Sequence, residues 1–188
     1  KIPLSVNLIK FNAFIHCSSL TELIIPSSVE NIESDAFSYC TSLKQVLFEN
    51  PSSIKSIELF VFSHCSSLKQ ISIPSSVTII EIHSFDGCKS LEKVIFEQPS
   101  SLKVINNNAF SNCSSLLQIS IPSSVTSIGE EAFSNCTSLE CVSMFSNIKN
   151  VYPNVFLGCN SLKKITTPFQ INLKDVGINH DVKVTLIK

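Results

Sequence analysis

Leu116-Leu117-Gln118-Ile119-Ser120-Ile121-Pro122-Ser123-Ser124-Val125-Thr126-Ser127-Ile128-Gly129-Glu130-Glu131-Ala132-Phe133-Ser134-Asn135-Cys136 holds one whole structural unit. Ile119 and Ile121 flank the polar Ser120, the period-two pattern of a short strand with one buried face. Pro122 ends that strand, because a residue without an N–H cannot continue a ladder. Val125 and Ile128 then supply two more apolar positions, and Phe133 stands three residues ahead of Cys136. The same register extends in both directions as Phe14/Cys17, Phe37/Cys40, Phe62/Cys65, Phe85/Cys88, Phe110/Cys113 and Phe156/Cys159. Successive cysteines are 23 or 25 residues apart (23 from Cys17 to Cys40, 25 from Cys40 to Cys65), a period that means stacked coils.

Counting from each cysteine fills in the coil. Leu always stands at +3 (Leu20, Leu43, Leu68, Leu91, Leu116, Leu139, Leu162). Position +6 reads Leu23, Val46, Ile71, Val94, Ile119, Val142, Ile165, and +8 reads Ile25, Phe48, Ile73, Phe96, Ile121, Met144, Thr167. Two coils are longer and replace Ile-Pro-Ser-Ser-Val by Phe48-Glu49-Asn50-Pro51-Ser52-Ser53-Ile54 and Phe96-Glu97-Gln98-Pro99-Ser100-Ser101-Leu102. Residues 41–88 and 89–136 are thus a double repeat, identical at about three-fifths of positions. Their extra residues are expected to bulge from one edge of the stack, about 10 Å apart. A single coil buries too little to offset its ordering entropy, so stability must come from neighbours.

Composition agrees. The 188 residues are 44% hydrophobic, 15% charged and lack Trp, which suits a narrow core of Ile, Leu, Val, Phe and Cys columns. No apolar run approaches a membrane span. A net charge of −1 argues against nucleic acid, which requires a basic stripe. The unbroken register predicts one domain, a solenoid of about seven coils over 1–168 with the first truncated. Ile2-Pro3-Leu4-Ser5-Val6 fits the Pro-Ser-Ser-Val segment, so the chain is expected to start inside a repeat of a longer array. Beyond Pro168 the pattern fades, with Lys174 in the Ile column. Residues 169–188 are read as a divergent last coil or cap, with Val182, Val184 and Leu186 alternating in a final strand.

The stretch quoted at the outset resembles the BspA-type leucine-rich repeat, found in surface proteins of anaerobic bacteria and parasitic protists. The resemblance covers roughly residues 2–168. It implies an α/β, β-rich leucine-rich-repeat horseshoe with one short strand per coil, and adhesion or another protein-binding role at a cell surface. It brings no catalytic residues, cofactor or metal. The family's Gly after the Ile column survives only as Gly129; Glu33, Glu58, Glu81, Asn106 and Tyr152 stand there in other coils.

Eight cysteines in a short chain can signal a disulfide framework. In-register side chains run parallel instead of converging, however, so buried free thiols packing as small apolar groups are the preferred reading. Metal binding is disfavoured, because zinc ligands come in close pairs and each coil offers one thiol. Cys141, at an outward strand position, is the thiol expected to react first. His16 and His64 occupy a column shared with Tyr39, Gly87, Asn112, Asn135 and Gly158, which reads as surface turn. The sequons at Asn112 and Asn135 arise wherever Asn precedes a ladder Cys, so they carry little weight for secretion.

The expected working surface is the outward strand face. One column reads Glu22, Gln45, Gln70, Lys93, Gln118, Cys141, Lys164; the next reads Ile24, Leu47, Ser72, Ile95, Ser120, Ser143, Thr166. Glu22, Ile24, Gln45, Leu47, Gln70, Lys93, Ile95, Gln118 and Lys164 are the candidate partner-binding residues, with Ile24, Leu47 and Ile95 as exposed anchors. The bulge residues Glu49/Asn50 and Glu97/Gln98 are a lesser candidate. The expected partner is a protein or extracellular matrix component at a cell surface. The rival is a cytoplasmic scaffold or a structural protein that associates through its solenoid ends.

Overall fold

The computed structural model describes residues 2–145 and 148–187. Fifteen strands follow one another among the described residues: β1 (Leu8–Ile9), β2 (Glu22–Ile25), β3 (Asn31–Ile32), β4 (Gln45–Phe48), β5 (Ser56–Ile57), β6 (Gln70–Ile73), β7 (Ile79–Ile80), β8 (Lys93–Phe96), β9 (Val104–Ile105), β10 (Gln118–Ile121), β11 (Ser127–Ile128), β12 (Cys141–Met144), β13 (Asn150–Val151), β14 (Lys164–Thr167) and β15 (Lys183–Leu186). Every pairing is parallel and joins equivalent positions one coil apart, such as Ile119 with Val142 and Ile128 with Ile105. Four-residue strands form the main face, in two sheets ordered β2-β4-β6-β8 and β10-β12-β14-β15. Two-residue strands form the minor face, β5-β7-β9-β11-β13, with β1-β3 apart.

The α/β expectation is corrected: among the described residues the chain between strands forms no helix, only linked turns. The cause is a left-handed residue at two places in each coil. Asn12, Asp35, Phe60, His83, Asn108, Glu131 and Asn154, five before each ladder Cys, have φ between 54° and 58°. His16, Tyr39, His64, Asn112 and Asn135, with Gly87 and Gly158, repeat this just ahead of the Cys. Such residues halt a right-handed helix. Backbone N–H groups consequently alternate in direction. Those of Ala36, Ser38 and Cys40 close turns onto Glu33, Asp35 and Phe37, while those of Asp35, Phe37 and Tyr39 donate to Leu59, Val61 and Ser63 in the next coil. Each N–H finds a carbonyl, half of them across coils, which ties the turn region as firmly as the strands.

The interior consists of continuous files. Phe37, Phe62, Phe85, Phe110 and Phe133 are fully buried, and their rings stack one coil apart. Centroids along the file from Phe14 to Phe156 lie 5.1–5.9 Å apart, with interplanar angles of 0–18°. Those separations are offset-parallel stacking. Beside it runs the cysteine file, whose thiols have a use that packing alone does not supply. Cys40 Sγ donates to the Phe14 carbonyl at 3.1 Å, Cys65 to Phe37 at 3.3 Å, Cys88 to Phe62 at 3.2 Å, and Cys113, Cys136 and Cys159 repeat this on Phe85, Phe110 and Phe133. The same carbonyl already accepts the N–H of its own coil's Cys, so both lone pairs are occupied.

Departures from regularity have local causes. Phe48 and Phe96 are larger than the Ile of neighbouring coils and are followed by the bulge, and the ladder weakens just past them. β4 and β6 pair over only two residues, and β8 and β10 are not hydrogen-bonded neighbours. Gly129 is not required by backbone conformation. Its N–H donates to Ile105 as those of Glu33, Asn106 and Tyr152 do to Ile9, Ile80 and Ile128. It is instead crowded, since a Cβ there would meet Asn107 Oδ1 at 2.4 Å. At the first coil Phe14, Cys17 and Leu20 are half-buried, whereas Phe37, Cys40 and Leu43 are fully covered. At the far end β15 pairs with β14 in register, Lys164 to Lys183 and Thr167 to Leu186. Leu186 is exposed and Val182 and Val184 are half-buried.

Candidate functional site

The main face presents its side chains by simple alternation. In β2, β4, β8 and β10 the first and third residues are exposed and the second and fourth buried. Register then brings Glu22, Gln45, Gln70 and Lys93 into one file across β2, β4, β6 and β8. Ile24 lies opposite Leu47, and Ser72 opposite Ile95. Ile24, Leu47 and Ile95 are 37%, 47% and 38% exposed, enough to offer apolar contact area to a partner. Gln118 and Lys164 are exposed on the second sheet, in one file through Cys141. The nine candidate residues therefore fall into two groups, parted by the unpaired β8/β10 boundary.

The bulges are partly engaged within the chain. Glu97 accepts from the Ser72 hydroxyl at 3.2 Å and the Ser75 N–H at 3.3 Å, and Gln98 Nε2 donates to the Phe96 carbonyl at 3.2 Å. Between them the shorter coil at Pro74 leaves a notch of about 480 Å³ lined by Asn50, Ser52 and Gln98.

A column absent from the expected site borders it. Directly ahead of the strands come Thr21, Lys44, Lys69, Glu92, Leu117, Glu140 and Lys163. All are exposed, and of them Glu140 and Lys163 are already matched in an ion pair at 2.8 Å. The signal was present in the sequence as an almost wholly hydrophilic column, one place before the strand alternation begins.

The surface-turn column is more ordered than a turn need be. His16 and Tyr39 rings lie 4.9 Å apart and Tyr39 and His64 rings 4.5 Å apart, and Gly87 follows because a Cβ there would meet His64 Nδ1 at 2.5 Å. Further along, Asn135 Nδ2 donates to Asn112 Oδ1 at 3.2 Å, and Asn112 Nδ2 to Asp86 Oδ1 at 2.8 Å. Among the described residues no group of three His, Cys, Asp or Glu side chains could hold a metal ion. Nor is any helix there long and apolar enough to cross a membrane.

All eight cysteines are free thiols. Burial raises the Cys40 thiol to about 11, with a smaller contribution from Cys17, and holds Cys65, Cys88, Cys113 and Cys136 well above the ordinary value. Reactivity follows thiolate character and access. Cys141 and also Cys17, at the open first coil, are half-buried; the other six are buried. A thiol titration of the native protein at pH 8 should register Cys141 and Cys17 first and the remaining six only on unfolding. Uniform labelling of all eight without denaturant would contradict the buried file.

Comparison with known proteins places this geometry. The BspA type Leucine rich repeat region matches residues 1–99 and 96–178, in six copies. Among solved structures, a leucine-rich repeat protein from T. pallidum (TpLRR) is 32% identical, with a TM-score of 0.71 over 78% of this chain and 69% of that one. A leucine rich cell surface protein from Faecalibacterium prausnitzii is 25% identical, TM-score 0.53, over 78% of this chain and 54% of that one. The pneumococcal vaccine antigen PcpA shares the fold at 22% identity, TM-score 0.69, over 87% of this chain and 51% of its own. The chain thus spans about half the length of the last two. Among curated proteins none matches it.

Proposed function

Because this chain belongs to the BspA-type leucine-rich-repeat family, we propose that it is a non-catalytic protein-binding module, displayed at a cell surface, that engages a protein or matrix partner through its main strand face. The observation that carries this reading is the set of apolar side chains at Ile24, Leu47 and Ile95, held outward on a hydrogen-bonded sheet among polar neighbours. A rigid face loses little entropy when a partner docks, so a few such anchors suffice. Surface display is supported by the bacterial cell-surface protein among the similar structures. Ile24→Asp with Ile95→Asp should abolish retention of the partner in a pull-down from matrix extract. Stability should change little, within about 0.5 kcal/mol per exposed site. Undiminished retention by a folded double variant would sink the reading.

A further inference from the structure

Lys44 and Lys69 stand directly ahead of β4 and β6, and Lys93 begins β8. The ladder extends through this column, since the Lys69 N–H donates to the Lys44 carbonyl at 3.2 Å and the Glu92 N–H to that of Lys69 at 2.8 Å. Lys44 and Lys69 are thereby stacked on adjacent coils, roughly 4.8 Å apart, with Glu92 next in their column and Lys93, the third lysine, one place further along the chain opposite Gln70. All three are exposed, and among the described residues none has a carboxylate within 4.0 Å, unlike Lys163. Like charges on adjacent strands repel, so the arrangement does nothing for the fold. With Gln45 and Gln70 they line a groove of about 430 Å³, bordered by Glu22 and Glu92. Lys93 also walls a second cleft, of about 270 Å³, where β8 and β10 part beside Ile95.

We propose that this groove binds an extended acidic segment of a protein partner, its carboxylates over Lys44, Lys69 and Lys93 and an apolar side chain in the cleft beside Ile95. This rests on the strand-face reading above and names the partner's chemistry. Carboxylates relieve the lysine repulsion, and the Gln45 and Gln70 amides can both donate to and accept from an extended peptide backbone. Glu22 and Glu92 repel a uniformly charged polyanion, which favours a mixed acidic and apolar peptide over a sulfated polysaccharide.

The test is selection from a random nine-residue peptide library on the whole chain, followed by affinity measurement on the best peptide. Selected sequences should carry two or more acidic residues with an apolar one, and binding should weaken roughly tenfold or more for Lys44→Glu with Lys69→Glu. Lys55→Glu with Lys103→Glu, the same charge change on the minor-face side, should leave it unaltered. Affinity should also fall with salt. Equal or tighter binding of heparin or polyglutamate at the same lysines overturns the proposal in favour of a general polyanion surface. Selection of peptides without acidic residues, lost with Ile95→Asp but not with the lysine variants, overturns the acidic class and leaves the strand-face reading standing. Selection of no peptide also overturns it, and the strand-face reading is then decided separately by the matrix pull-down.

Discussion

Raising the pH from 8 to 10 should remove on the order of 5 kcal/mol of unfolding free energy through the buried thiols alone. In the unfolded chain a thiol ionises near its ordinary value of 9.0, whereas burial holds Cys65, Cys88, Cys113 and Cys136 well above it. The stability these groups contribute is therefore complete below pH 9. Above it the unfolded state has released protons that the folded state still binds, so the folded state loses about 1.4 kcal/mol per thiol per pH unit. Four such groups over one unit beyond pH 9 give the figure stated, and Cys40 adds to it in the same direction. Urea melts at pH 8, 9 and 10 measure the slope. Cys113→Ala with Cys136→Ala should roughly halve it. A wild-type slope no steeper than that of the double variant would show that these thiols do not titrate on unfolding.

Phe110→Ala is the substitution with the largest expected loss, about 3–5 kcal/mol. Its ring is fully buried between Phe85, at 5.1 Å, and Phe133, at 5.3 Å, with interplanar angles of 4° and 0°. The backbone bonds at this position do not involve the ring and can persist: the Phe110 N–H donates to Ala132, and its carbonyl accepts from Cys113 N and Cys136 Sγ. What disappears is the ring and the contact on both its faces. In a quasi-one-dimensional stack that gap weakens the coupling of one half of the array to the other. Phe14→Ala provides the control, being half-buried with a single ring neighbour, Phe37 at 5.1 Å. It should lose well under half as much. Equal shifts in melting for the two variants would contradict the interior file.

How far the residues announce this molecule differs between its two faces. The strand alternation at Ile119-Ser120-Ile121 and the Phe133/Cys136 spacing suffice for the stacked coil, because inward positions repeat every second residue and every copy agrees. The turn region is where the α/β class implied by the resemblance does not hold. Its left-handed positions are filled by Asn, Asp and Gly but also by Phe60, His83 and Glu131, and these last disguise the pattern. The outward columns of β2 to β8 follow from alternation, yet Lys44 and Lys69 lie one place outside it and join the face only because the ladder runs past the strand ends.

Periodic burial is local chemistry copied along the chain, and so the period of the coils, their register and the identity of the interior files follow from the order of residues alone. Where neighbouring coils fail to grip each other is a different matter. The gap between β8 and β10, the separation of candidate residues into two sheets and the meeting at Lys93 of the lysine-lined groove with the cleft beside Ile95 exist only once the coils are laid on one another. That fit is a sum of contacts between layers, and no single coil contains it.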